Sequence, residues 1–245
     1  MDLGILGSGD AFGNGGRYQT CFALREEERT VLIDCGATSL TAMKAAGLEP
    51  LDVHAVVISH LHGDHFGGIP FMVLDAQFRH RTEPLVVYGP PGTKARLTDA
   101  METLYPGSTS VSRRFDLVIT ELDHDGAPTH ADGLTVRGVL VDHACGAPPL
   151  AVRVETPTAA VAYSGDTSWT PALFDVSRDA DLFLVESYTW EREVKYHLSH
   201  RRVADNLDAF AARTVMLTHM SPDMLSHIAE ACAPTATDNS RHTLP

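Results

Sequence analysis

The chain has 245 residues, 44% apolar and 21% charged, with 19 Lys and Arg against 32 Asp and Glu and a formal net charge of −13. This is enough chain for one large domain or two small ones with a real core, and no apolar run approaches the roughly 18 residues that span a bilayer. The acidic balance repels polyanions and weighs against a long nucleic acid as partner.

In chain order, short apolar runs predict strands at Leu3 to Leu6, Cys21 to Leu24, Thr30 to Ile33, Ala55 to Ser59, Leu85 to Tyr88 and Leu117 to Leu122. Further strands are predicted at Leu134 to Val141, Leu150 to Glu155, Ala159 to Tyr163, Leu182 to Val185 and Val215 to Leu217. Helices are predicted at Thr38 to Ala46, Phe66 to Arg79, Gly92 to Leu104, Arg201 to Ala212 and Pro222 to Ala231, several opened by Ser, Thr or Pro. No repeat or linker interrupts the alternation. A single domain over residues 1–233 is expected, with two packed sheets and helices outside, followed by a loose tail over 234–245. The helix from Phe66 to Phe78 is apolar enough to line either the core or a homodimer contact. The opening Met1-Asp2-Leu3-Gly4-Ile5 has no basic segment or cleavage site, so a cytoplasmic protein with no membrane partner is expected.

The segment His60-Leu61-His62-Gly63-Asp64-His65 places four potential metal ligands in six residues directly after a predicted strand. Imidazole nitrogens and carboxylate oxygens are ligands for zinc, and a Gly-containing turn can aim two of them to one side and two to the other. Three further candidates each follow an apolar strand: His143, Asp166 and His219. Strand ends are where a rigid scaffold presents ligands to a common cleft. With the first cluster these residues complete two three-ligand sets if Asp166 is shared. Cys21, Cys35, Cys145 and Cys232 form no C-x-x-C pair and read as small buried residues, with Cys145 a candidate neighbour of the site because it follows His143 by two positions.

With these residues the chain resembles metallo-β-lactamase-fold hydrolases, whose H-x-H-x-D-H motif stands here as His60, His62, Asp64 and His65. His143 follows His65 by 78 positions, Asp166 follows His143 by 23 and His219 follows Asp166 by 53, in the family's ligand order. The resemblance implies a four-layer αββα sandwich of the α/β class, with the metal site at one edge of the two sheets. It also implies His60, His62 and His143 on one ion, Asp64, His65 and His219 on the other, and Asp166 bridging. The segments Leu6-Gly7-Ser8-Gly9-Asp10, Ser164-Gly165-Asp166-Thr167, Glu186-Ser187 and His197-Leu198-Ser199 resemble the ribonuclease Z-like branch. In that branch a histidine matching His197 contacts the scissile phosphate and protonates the leaving oxygen. The tRNA-processing members also carry a long protruding arm between the third histidine and the bridging aspartate, for which the 23 positions from His143 to Asp166 leave no room.

Two divalent ions about 3.5 to 4 Å apart bring a shared water to near-neutral pKa and neutralise transition-state charge. Asp64 is expected to orient that hydroxide and His197 to act as general acid or oxyanion clamp. Zinc suits the ligands first, while manganese, iron, cobalt and nickel fit the same donors. Glu186 is a candidate for fixing a histidine tautomer, the glycine-rich loop around Asp10 could let backbone approach an anion, and His200 is expected to face outward. The leading expectation is a dinuclear hydrolase of a small anionic phosphodiester. Alternatives are tRNA 3′ processing, hydrolysis of a lactone, thioester or amide, and a non-catalytic metal-binding module, the last opposed by all seven ligands being intact. Di-iron oxygen-reducing relatives of the fold carry Glu where this chain has His62, which counts against that chemistry.

Overall fold

A computed structural model describes residues 1–27, 29–131 and 133–244. The first half of the chain runs β1 (Asp2–Gly7), β2 (Cys21–Glu26), β3 (Arg29–Ile33), α1 (Ser39–Ala45), β4 (Val53–Val57), α2 (Gly63–Phe66), α3 (Ile69–Phe78), β5 (Leu85–Gly89), α4 (Thr93–Leu104) and β6 (Leu117–Glu121). The second runs β7 (Thr129–Ala131), β8 (Leu134–Leu140), β9 (Leu150–Glu155), β10 (Ala160–Tyr163), α5 (Ala172–Ser177), β11 (Leu182–Glu186), α6 (His200–Asp205), β12 (Val215–Thr218), α7 (Pro222–Leu225) and β13 (Ser240–Thr243). Among the described residues, seven strands form one sheet in the order β13-β1-β2-β3-β4-β5-β6, and six form the other in the order β12-β11-β10-β9-β8-β7.

Side-chain alternation explains the layers. Along the first sheet Ile5, Phe22, Ile33 and Val57 point into the space between the sheets, where Val152, Val161, Tyr163 and Leu184 of the second sheet meet them. Phe22 and Tyr163 pack edge to face with centroids 5.4 Å apart. Truncating Phe22 would leave a void costing about 3 to 5 kcal/mol. The opposite faces carry Leu32, Val56 and Ile58 under α1, α3 and α4, and Ala162, Phe183, Val185 and Leu217 under α5, α6 and α7. Both faces of each sheet are therefore covered, which gives the four-layer α/β sandwich expected from the sequence. No described helix is long and apolar enough to cross a membrane.

The long helix expected from Phe66 to Arg79 is instead two pieces, α2 and α3, broken at Gly67-Gly68. A Cβ on Gly68 would lie 2.3 Å from the Gly36 carbonyl oxygen, so this glycine lets backbone pack directly on the turn after β3. Hydrogen bonds from Cys35 N to His65 O (2.6 Å) and from Gly68 N to Cys35 O (2.8 Å) lock that contact. On α3, Ile69, Met72 and Val73 are core, whereas Phe78 is 73% exposed.

The two last predicted helices are shorter than expected because side chains capture the helical carbonyls. Asn206 Nδ2 donates to Arg202 O (2.9 Å) where α6 ends, and Ser226 Oγ donates to Asp223 O (2.8 Å) where α7 ends. His200 is buried, stacked on Trp190 with centroids 4.1 Å apart, and its Nε2 accepts from Cys232 N (2.9 Å), so it does not face outward as expected.

Over its described residues, 234–244, the tail is not loose. Ser240–Thr243 forms β13, antiparallel to β1 with Asp2 opposite Thr243 and Ile5 opposite Ser240. Its residues lack apolar alternation because main-chain bonds to the free edge of β1 hold it, and such bonds leave no side-chain pattern.

Candidate metal centre

Parallel pairing of β3 with β4, of β10 with β11 and of β11 with β12 turns the carboxyl ends of these strands to one edge of the sandwich. That edge is where open α/β sheets bind ligands. His60 follows β4; His62 precedes α2 in extended conformation, and Asp64 and His65 lie within α2. His143 follows β8, Asp166 follows β10, and His219 follows β12 with φ 55°.

The structure brings all seven expected ligands together. One ligand atom from each of His60, His62 and His143 lies within 4.8 Å of the others, and Asp64, His65, Asp166 and His219 form a second such group. His143 Nε2 is 3.1 Å from His62 Nδ1. Asp64 Oδ2 is 3.1 Å from His65 Nε2 and 3.4 Å from His219 Nε2. Asp166 faces both groups: Oδ1 is 3.5 Å from both His65 Nε2 and His219 Nε2, while Oδ2 is 3.9 Å from His60 Nε2.

The hydrogen bonds behind these groups test whether they fit metal ions. Ser59 Oγ donates to Asp34 Oδ2 (2.7 Å) and so accepts from His60 Nδ1 (3.1 Å). His65 Nδ1 donates to Asp34 Oδ2 (2.6 Å), and His143 Nδ1 donates to Tyr196 O (2.9 Å). In each case Nδ1 carries the hydrogen, which leaves an Nε2 lone pair for the centre. His60 Nε2, His65 Nε2 and Asp166 Oδ1 are buried with no hydrogen-bond partner among the described residues. Buried polar atoms normally have partners, so converging orphan lone pairs of this kind fit divalent cations.

Electrostatics divides the two groups. Burial, aided by neighbouring imidazoles, holds His60 well below the ordinary histidine range and lowers His62 and His143, so their lone pairs are free at neutral pH. In the second group burial opposes charge, but without an ion Asp166 and Asp64 outweigh it and push His219 up to about 9 and His65 well above its usual value, so a cation would bind there by displacing the Nε2 protons. Burial alone would raise Asp64, yet His65 and His219 hold it far down.

His197 lies beside this pair of groups. Its Nδ1 donates to Glu186 Oε1, and its ring stacks on Tyr188 with centroids 4.5 Å apart. Burial lowers its proton affinity, but Glu186 more than compensates and the net shift is upward. Glu186 Oε2 accepts from Thr167 N (3.0 Å) and Leu198 N (3.1 Å), so a fully buried carboxylate is anchored behind the histidine. Ligand atoms of Asp166, Glu186, His197 and His219 also lie within 4.8 Å of one another. Because His197 already spends Nδ1 on Glu186, we read this overlap as support for the second group. A cavity of ≈ 370 Å³ opens here, lined by His62, Asp64, His143, Asp166, His197 and His219, with Tyr188, Ala11 and Phe12 at its wall.

Two expectations change. Cys145 Sγ donates to Ala147 O (3.1 Å) and belongs to neither ligand group. The loop at Asp10 has four of its amides already engaged: Phe12 N and Asn14 N donate to Asp10 Oδ1 (both 3.2 Å), Gly13 N to Asp10 O and Gly16 N to Gly13 O. The sequence reading missed Asp34, Ser59, Tyr188 and Tyr196. Asp34 was findable, since it follows an apolar strand just as His143, Asp166 and His219 do.

Comparison with known proteins agrees with this architecture. Ribonuclease Z of Methanosarcina acetivorans is 26% identical over 274 residues, covering 90% of this chain and 88% of that protein. Ribonuclease Z of Methanothermobacter thermautotrophicus is 44% identical over 92 residues, which is 38% of this chain and 30% of that protein. Human tRNase Z, short form, superposes with TM-score 0.81 at 21% identity over the whole of both chains. The metallo-β-lactamase fold protein YhfI from Bacillus subtilis gives 0.80 at 16% identity over 99% of both. These likenesses make the chain a metallo-β-lactamase-fold, ribonuclease Z-like, metal-dependent hydrolase. Within that class, a match running from residue 1 to residue 236 shows that the chain belongs to the family described as Anti-Pycsar protein Apyc1.

Proposed function

We propose that the chain hydrolyses a small phosphodiester, such as a cyclic nucleotide or a short fragment, with two divalent ions, zinc first, held by the seven converging side chains. The observation that carries this reading is the ≈ 370 Å³ cavity, whose wall joins members of both ligand groups to His197. That volume lies at the small end of ligand pockets. When bound, the ions supply Lewis-acid polarisation of phosphoryl oxygens and a water acidified to near neutrality.

The chain's own groups do the rest. Asp64 is held ionised, so its carboxylate can accept a hydrogen bond from the attacking water and aim the oxygen lone pair at phosphorus. His197 keeps a proton on Nδ1 for Glu186, which leaves Nε2 as the nitrogen that meets the substrate. Its raised proton affinity suits it to protonate the leaving oxygen. Asp166, with one oxygen towards each histidine group, keeps the two groups in register.

Small substrates are favoured over a precursor tRNA by the segment between His143 and Asp166, which β9, β10 and their turn largely fill. The net charge of −13 acts in the same direction. Processing of tRNA is the second reading, because ribonuclease Z relatives cover most of the chain. Steady-state assays of metal-loaded protein with a cyclic mononucleotide, bis(p-nitrophenyl) phosphate, a lactone, a β-lactam and a precursor tRNA decide between them. The small diesters should show the highest kcat/KM; preference for a carbonyl substrate or for the tRNA overturns the proposal.

A further inference from the structure

The C-terminal segment crosses from one sheet to the other beside the candidate centre. Leu217 N donates to Pro234 O (2.8 Å) and Ala236 N to Leu217 O (2.7 Å), which ties the segment to β12. Asn239 N then donates to Ile5 O (2.7 Å), and β13 continues along β1. Between these two attachments lies Asp238.

Asp238 closes the loop from Ser8 to Tyr18 at its two ends. Its Oδ1 accepts from Ser8 N (2.9 Å) and Ser8 Oγ (2.7 Å), and its Oδ2 accepts from Tyr18 N (2.6 Å). Arg17 Nη1 reinforces the clamp by donating to Ser8 Oγ (2.8 Å) and to Ala236 O (2.7 Å). The loop's neck is drawn tight, with Gly9 N donating to Tyr18 O (2.8 Å) and a Cβ on Gly7 falling only 1.9 Å from the Gln19 carbonyl oxygen. This loop carries Ala11 and Phe12 to the cavity wall, where Phe12 is 78% exposed. Ser8 O, in turn, accepts from His219 N (3.1 Å), so the clamped residue also touches the backbone of a candidate ligand.

We propose that the segment from Pro234 to Thr243 is a strap that positions the substrate-facing loop through Asp238, making Asp238 a positioning residue for the reaction. Inside the loop Phe12 N, Gly13 N and Asn14 N are satisfied by Asp10, but nothing within the loop satisfies Ser8 N and Tyr18 N at its two ends. One carboxylate from the far end of the chain supplies both acceptors. Without it the neck loses three hydrogen bonds to a charged group, and Phe12 and Ala11 lose their fixed place at the cavity wall. The kinetic part of this inference rests on the phosphodiester reading; the structural part does not.

The test compares Asp238→Ala and Asp238→Asn with Thr243→Ala, which removes a strap hydrogen bond to Asp2 (3.0 Å) away from the loop. Metal content, steady-state kinetics on bis(p-nitrophenyl) phosphate and amide hydrogen exchange across residues 8–18 are measured for each. Asp238→Ala should raise KM about tenfold with kcat changed far less, keep its metal content, and speed loop exchange at least tenfold while exchange in α3 is unchanged. Thr243→Ala should match the parent protein. If Asp238→Ala does not fold, Asp238→Asn, which keeps one acceptor, is read by the same criteria. Loop exchange that stays as slow as in the parent, or a fall in kcat and metal content with KM unchanged, overturns the proposal. If the parent protein turns over no diester, the phosphodiester reading fails, and the exchange result still decides whether the strap holds the loop.

Discussion

Asp34 Oδ2 receives the Nδ1 hydrogen of His65 at 2.6 Å, and the same oxygen receives the Ser59 hydroxyl that in turn holds His60. A single buried carboxylate thus orients one histidine of each ligand group. Asp34→Asn keeps the shape of the side chain but places an amide where two donors already point. Affinity for divalent metal should fall about 10- to 100-fold at both positions, the usual effect of losing such an orienting partner. Chelator competition reads the two affinities, and a loss confined to one ion would show that Ser59 fixes His60 without help from Asp34.

How much of this was legible in the sequence depends on what each residue does. His60, His62, Asp64, His65, His143, Asp166 and His219 stood out because ligation needs particular side chains and places them after strands. Glu186 was visible as a candidate orienting group, and the structure puts it against His197. The partner of His143 was not visible, because Tyr196 acts through its carbonyl oxygen, which any residue would provide. β13 was hidden for the same reason: main-chain bonds along β1 hold it. The break between α2 and α3 was written in Gly67-Gly68, but its cause, the approach of Gly36 to Gly68, is a tertiary contact between residues distant in sequence.

Metal removal should destabilise the fold. His60 Nε2, His65 Nε2 and Asp166 Oδ1 lack a hydrogen bond among the described residues and have only neighbouring groups of the same cluster beside them, so a bound cation would compensate their burial. Free metal at about 100 times its dissociation constant adds roughly 2.7 kcal/mol per site, equivalent to roughly 5 to 10 °C in Tm for a chain of this size. Calorimetry before and after chelation, followed by zinc addition, measures the loss and its recovery. An unchanged Tm would mean that the two groups hold no structural metal.

The general-acid role proposed for His197 has a kinetic signature. His197→Ala should lower kcat about 10²- to 10⁴-fold on a diester with a poor alkoxide leaving group. The loss should be far smaller with p-nitrophenolate, which departs without needing a proton. Glu186→Gln should give an intermediate loss with the same dependence on leaving group, since Glu186 sustains the proton affinity of His197. Equal losses on both substrates would make His197 a binding group rather than a proton donor.

A pH effect on stability should arise at His200, which belongs to none of the candidate ligand groups. Burial first, and then the charge of His227, lowers its proton affinity below the ordinary value of 6.5, and its Nε2 must stay unprotonated to accept from Cys232 N. The unfolded chain therefore binds a proton at His200 at higher pH than the folded chain does. Stability rises with pH wherever the unfolded state holds more protons, so this contribution is complete above about pH 6.5 and shrinks as pH falls below it. Urea unfolding midpoints of the parent and of His200→Gln, measured from pH 8 to pH 5, isolate the effect. The parent should lose its advantage over the variant as pH drops through 6.5; a difference that stays constant over that range would show that His200 does not titrate between the folded and unfolded states.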